Sequence, residues 1–246
     1  MSYRIFVVAT LMAWTANVLG DPKSDLQDAI AKLAASDSYS WSTSTLINKL
    51  PSGIDGKSQN GVLALSIASY RAKWPALVKG ERAIIQADGS WQTPDEIVAA
   101  VPPDKPNLNF YPAHEIRFFK PPTALLSDLI IGAQNIQFTD GVYSADLADP
   151  SLKEILVGTR VYNLDRTASP IVSDDNGTIE ITVSGGIVTK YEIHAAGVVT
   201  FNNSHRHMSV SVTTEISNVN STTIQVPPDA TAALNAATTQ PATSGN

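Results

Sequence analysis

Three of the chain's four histidines, His194, His205 and His207, lie within fourteen positions in the stretch KYEIHAAGVVTFNNSHRHMSVSVTTEIS. Imidazole is a common ligand for zinc and other first-row metals, and a site needs three or four donors that converge. Convergence depends on the strands that carry the histidines. In MSVSVTTEI the residues Met208, Val210, Val212 and Ile216 alternate with Ser209, Ser211, Thr213 and Glu215. In IVTKYEIH, Ile187, Tyr191 and Ile193 share one face, opposite Lys190, Glu192 and His194.

Matching apolar faces across a hairpin fixes the register, because side chains alternate with period two. Faces match only where partner numbers sum to an odd value. A four-residue loop FNNS between Thr200 and His205 satisfies this and pairs Ile193 with Val212, Tyr191 with Thr214, His194 with Ser211, and Val198 with His207. His194 and His207 are four residues apart along the sheet, roughly 13 Å at the rise of a strand. His205 and His207 are left as two imidazoles on a wet face, with no acidic residue in the loop beside them. No metal site is expected. The hairpin before this one pairs with an even sum, which predicts a three-residue loop of Ser184, Gly185 and Gly186.

The remaining motifs carry little chemistry. PSGIDGKS has the end of a phosphate-binding loop, but Pro51 stands where the first glycine belongs and no helical pattern follows Ser58. In SDDNGTIE only Asp174, Asn176 and Gly177 fit a calcium loop loosely, and Asn-Gly before a strand is ordinary turn chemistry. There is no cysteine, so no disulfide, thiolate nucleophile or cysteine-bound metal is possible. The sequence holds no nucleophile motif, and acidic pairs such as Asp95-Glu96 sit where they favour a helix dipole. Neither a cofactor nor an enzymatic activity is expected.

MSYR followed by the apolar run IFVVATLMAW and the small residues near Gly20 reads as an export signal, too short to span a bilayer. The expected cleavage follows Gly20, giving a periplasmic or secreted protein without a lipid-anchor cysteine. The net charge of −6 offers no overall footprint for nucleic acid or an anionic membrane surface.

Residues 21–230 read as one domain and 231–246 as a disordered tail, because TAALNAATTQPATSGN lacks aromatics and charge. A helix is predicted over 24–36, with Ser24 and Gln27 at capping-box spacing. In YSWSTSTLIN, Tyr39, Trp41, Thr43, Thr45 and Ile47 form one face of a strand. Residues 49–61 read as a loop and 61–71 as a strand. A bend falls at Asp88-Gly89, and TPDEIVAA starts a short helix with Thr93 and Glu96 as its capping box. The proline-rich stretch 102–122 reads as irregular. Further helices are predicted at 122–131 and 149–158, flanking a strand, an Asp-Gly turn and another strand. The end of the chain up to IQVPPDA is a meander.

The order of these elements, and the stretches GSWQTPDEI, DGVYSADLADPSLKEIL, GGIVTKYEI and IQVPPDA, resemble the outer-membrane lipoprotein carrier superfamily, LolA/LolB-like and LppX-like periplasmic proteins among them. The resemblance covers about residues 24–230. It implies an α+β fold: a curved antiparallel sheet, or half-barrel, with helices over its concave face and a cavity that accepts acyl chains. No position matches the basic residue near the cavity mouth with which those carriers couple binding to release. On this footing a lipid or a lipidated protein is the expected partner, with Trp41, Trp91, Phe118 and Phe119 as candidate ligand wall. The same aromatics also suit a closed core. A non-catalytic envelope interaction module on the same fold, without a small ligand, is the alternative.

Overall fold

The computed structural model describes residues 20–69, 71–100, 109–158, 170–201 and 204–237. All but the last residue of the expected export signal lies outside them, as do residues 238–246. Eleven strands form one antiparallel sheet, open at both edges. They are β1 (Ser38–Ile47), β2 (Leu50–Gln59), β3 (Val62–Ser69), β4 (Lys73–Lys79), β5 (Arg82–Ala87) and β6 (Ser90–Gln92), then β7 (Gln134–Thr139), β8 (Val142–Asp146), β9 (Ile171–Ser184), β10 (Ile187–Phe201) and β11 (Ser204–Ser217). The order across the sheet is β6-β5-β4-β3-β2-β1-β11-β10-β9-β8-β7, so β1 closes onto β11 and joins the N- and C-terminal halves. Among the described residues six helices accompany it: α1 (Pro22–Ala34), α2 (Pro94–Ala100), α3 (Phe110–Arg117), α4 (Pro122–Gly132), α5 (Asp149–Gly158) and α6 (Pro228–Ala236). This is the α+β half-barrel class, with α1–α5 over the concave face.

The main core follows from the strand periodicity. Tyr39, Trp41 and Ile47 of β1 are buried, as are Tyr191, Ile193, Val210 and Ile216 of the meander. They share one cluster with Leu26, Ile30 and Leu33 of α1, Leu126, Leu129 and Ile130 of α4, and Leu152 and Leu156 of α5. The helices approach the sheet most closely at its two flanks: α1 and α5 over β9–β11 and β7, α2 and α3 over β5.

The β10–β11 register is the odd-sum pairing: Tyr191 faces Thr214, Ile193 faces Val212, His194 faces Ser211 and Val198 faces His207. The expected four-residue loop is corrected: Phe201 and Ser204, its first and last residues, extend the ladder in the same register. The β9–β10 hairpin differs from expectation. Its turn is the two residues Gly185 and Gly186, both at positive φ (62° and 75°), the geometry a tight hairpin demands. Ile187 accordingly pairs with Ser184, and a bulge between Val188 and Lys190 shifts the ladder so that Tyr191 meets Ile181 and Ile193 meets Ile179. The apolar faces match as required, but a bulge rather than a third loop residue makes the shift.

Four other expectations are corrected. The first helix is capped by Asp21, whose carboxylate accepts from the Lys23 amide at 3.3 Å. Pro22 opens it, so Ser24 is already inside. Residues 50–59 form β2 instead of a loop. Its Gly, Pro and Asp content suppresses the strand signal, yet it pairs with β1 along its whole length. A helix, α3, interrupts the stretch expected to be irregular. The chain after Ala230 continues in α6, because Ala230, Leu234 and Ala237 find an apolar surface at Leu77 and Ile84. Those two residues have the opposite parity from Ala76 and Ile85, so α6 lies on the convex face.

Candidate functional site

The concave face of β1–β5 is a wall that can be read off the ladders. Its positions are Tyr39, Trp41, Thr43, Thr45 and Ile47 on β1; Ser52, Ile54, Gly56 and Ser58 on β2; and Leu63, Leu65, Ile67 and Ser69 on β3. Trp74, Ala76 and Val78 on β4, with Ala83, Ile85 and Ala87 on β5, complete it. None of these is charged. Gly56 is paired with Trp41, and a Cβ there would fall within the indole ring. The glycine lets Trp41 lie flat across its neighbouring strand.

Residues 109–123, comprising α3 and the chain into α4, cross this wall as a strap. At one end Trp74 Nε1 donates to Asn109 Oδ1 at 3.0 Å, and the Trp74 and Tyr111 rings meet at 6.0 Å. Asn109 Nδ2 in turn donates to Asp88 Oδ2 at 2.8 Å. At the other end Phe119 stacks on Trp41, centroids 6.2 Å apart and planes 14° apart, and the hydroxyls of Tyr39 and Thr123 stand 3.5 Å apart. Trp74 is on β4 and Trp41 on β1, so the strap passes over β3 and β2, three strand spacings or about 14 Å. Half-buried Leu63 and Ile54 lie on those two strands.

Ion pairs anchor the strap from outside. Arg117 pairs with Asp95 at the start of α2. Lys120 Nζ reaches Asp128 of α4 and Glu154 of α5, each at 2.8 Å. Hydrogen bonds to Asp128 and then Glu154 hold the Lys120 ammonium above its ordinary pKa. These contacts are part-exposed and individually weak; the aromatic contacts fix the strap's height above the sheet. On the same concave face, Thr43 of the wall and Thr214 of β11 share a hydrogen bond of 2.9 Å. Tyr191 is buried beside Thr214, and desolvation pushes its phenol up to about 12, against a smaller lowering by the Thr214 hydroxyl. Burial likewise raises Tyr39.

Of the four aromatics singled out in the sequence, two come together and two do not. Trp41 and Phe119 form the stack. Phe118 is 57 % exposed and lies against His114 at 4.7 Å. Trp91 pairs across from Gln86 on the convex face, against the cluster under α6, and its buried Nε1 finds no hydrogen-bond partner among the described residues. Sequence reasoning missed Trp74 and Asn109. The alternation Trp74, Ala76, Val78 in KWPALVK carries the signal for Trp74; nothing local marks Asn109.

A separate cleft of about 440 Å³ opens between α5 and β9–β11, lined by Asp146, Asp149, Asp175, Asn176 and His194 among others. Asn135 Nδ2 already donates to Asp146 Oδ2 at 2.7 Å. Among the described residues no three His, Asp or Glu side chains are placed to share a metal ion. His205 Nδ1 instead lies 2.8 Å from the Thr200 hydroxyl.

No protein-family model and no curated protein matches the chain. Among solved structures it is similar to LprF from Mycobacterium bovis, at a TM-score of 0.40 and 12% identity, over 85% of this chain and 96% of that one.

Proposed function

We propose that this protein is an exported, non-catalytic binder or carrier that holds one acyl chain, from a lipid or a lipidated partner, between the concave face of β1–β5 and the strap 109–123. The observation that supports this is the wall itself: five strands present no charge on their concave side, and a strap rests on them through ring contacts at its two ends. An alkyl chain needs apolar surface, and the wall's few hydroxyls suffice to orient a carboxyl or ester. Trp41 and Phe119 are the residues a chain entering under the strap meets at the β1 side. Residues 1–20 supply the export signal, and N-terminal sequencing of the secreted product should start at Asp21.

A fluorescent fatty acid should bind saturably at one-to-one stoichiometry and be displaced by phospholipid. At a hundredfold excess over Kd it should stabilise the fold by about 2.7 kcal/mol. Absence of both saturation and a thermal shift across a panel of lipids rejects the reading. The second reading is an envelope interaction module without a small ligand. It is favoured by the burial of Trp41, Leu65, Ile67 and Ile85, none more than 5% exposed, as in a filled core.

A further inference from the structure

The net charge of −6 conceals a segregation of sign. The β1–β2 and β3–β4 turns, the start of β9 and the paired ends of β10 and β11 all lie at one end of the sheet. The nearest acids, Asp174 and Asp175, follow on β9, where Asp175 lies against Gly197. Among the described residues the stretches forming that end are 46–53, 67–69, 71–75, 171–173, 198–201 and 204–210, and their ionisable side chains are Lys49, Arg71, Lys73 and Arg206, with His205 and His207. All six side chains are exposed, and Lys49, Lys73 and Arg206 join no ion pair among the described residues. In the neighbouring β5–β6 turn, Asp88 is engaged by Asn109.

Apolar side chains project from the same end. Leu46, Leu50 and Ile171 are 45%, 48% and 65% exposed. Asn48 fixes two of them in place. Its backbone amide donates to the Ser209 carbonyl at 2.9 Å, its Oδ1 accepts from the Ser209 amide at 2.9 Å, and its Nδ2 donates to the His207 carbonyl at 3.3 Å. The β1–β2 turn is thereby bound to β11, which sets Lys49 and Leu50 beside the segment carrying Arg206. Lys49 itself sits at φ 70°, a left-handed conformation that glycine or asparagine adopts at less cost.

We infer that this end of the half-barrel is a docking rim for an anionic lipid surface. Cations at the level of the headgroups, with leucine and isoleucine tips reaching below them, match the chemistry of such an interface. Lysine and arginine stems extend along apolar surface while their charges stay wet. An acidic protein surface would engage the cations but has no use for the exposed Leu46, Leu50 and Ile171 beside them. The chain's overall negative charge does not oppose docking in this orientation. Charges are screened over about 8 Å at physiological ionic strength, and a strand of ten residues already separates the two ends by roughly 33 Å. This inference is independent of whether the concave slot holds an acyl chain.

The test is partitioning of the full chain onto vesicles of phosphatidylcholine with increasing phosphatidylglycerol, by flotation. Lys49→Glu is compared with Lys79→Glu, which changes net charge equally at the exposed last residue of β4, at the opposite end of the sheet. The apolar N-terminal segment is common to both variants, so their difference reads the rim alone. Partitioning should rise with phosphatidylglycerol and fall about 25-fold in Lys49→Glu, at about fivefold per unit of charge, while Lys79→Glu stays near the wild type. Leu50→Ser should also weaken it without changing the dependence on phosphatidylglycerol. The inference is overturned if both charge variants lose partitioning equally, if neither loses it, or if phosphatidylglycerol has no effect. Binding to an acidic protein with no vesicle partitioning overturns it as well.

Discussion

The rings of Trp41 and Phe119 stack with centroids 6.2 Å apart and planes 14° apart, joining the centre of the sheet to a strap that sequence separates from it by 78 positions. Truncating Trp41 to Ala should cost about 3–5 kcal/mol if the indole is only packed. If a ligand chain shares that space, the loss in stability should be smaller and the loss in probe affinity larger than for Tyr191→Ala. Urea denaturation and fatty-acid titration of the two variants, side by side, measure both.

Gly56 supports the same ring. Gly56→Ala should destabilise by about 1–3 kcal/mol through overpacking against the indole. In a Trp41→Ala background most of that cost should vanish, because the added methyl then has room. A double-mutant cycle checks the coupling; additive losses would show that the indole does not lie over Gly56.

Tyr191 predicts a dependence on alkaline pH. Its phenol is pushed up to about 12 by burial, from an ordinary value near 10. Between those values the unfolded chain has lost the proton and the folded chain keeps it, so stability present below pH 10 falls as pH rises through about 12. Two units correspond to about 2.7 kcal/mol as an upper bound. Tyr39, raised in the same direction, adds to the slope. Denaturation curves from pH 9 to 12 should flatten in Tyr191→Phe, measured against wild type.

The histidine pair is expected to be dispensable for folding. His205 and His207 are exposed, and replacing both with Gln should leave stability within about 0.5 kcal/mol. A loss of several kcal/mol in thermal or chemical unfolding would contradict the register on which that rests.

The convex cluster should be worth less than the main core. Leu234→Ala should cost about 2 kcal/mol, the low end for a buried leucine, because α6 lies on one surface only and can settle. The variant should unfold at lower urea with an unchanged β10–β11 hairpin by hydrogen exchange.

Period-two alternation by itself determined the meander. With Val210, Val212, Ile193 and Tyr191 each committed to one face, a one-residue slip would turn every apolar side chain to water, so the alternation together with the turn at FNNS set the β10–β11 register. The face of β1 and the capping box of α2, where the Thr93 amide donates to Glu96 Oε2 at 2.7 Å and the Glu96 amide donates to Thr93 Oγ1 at 3.2 Å, were local in the same sense. What tertiary structure decided is whatever depends on a distant partner. LPSGIDGKSQ is a strand because Trp41 needs a glycine beneath it and β3 needs a neighbour. The alanine-rich segment after Pro227 is a helix because Leu77 and Ile84 face outward and need cover. The four aromatics parted, two into a stack and two elsewhere, because a side chain's parity is written in its own strand, whereas the surface it meets is supplied by residues far away in the chain.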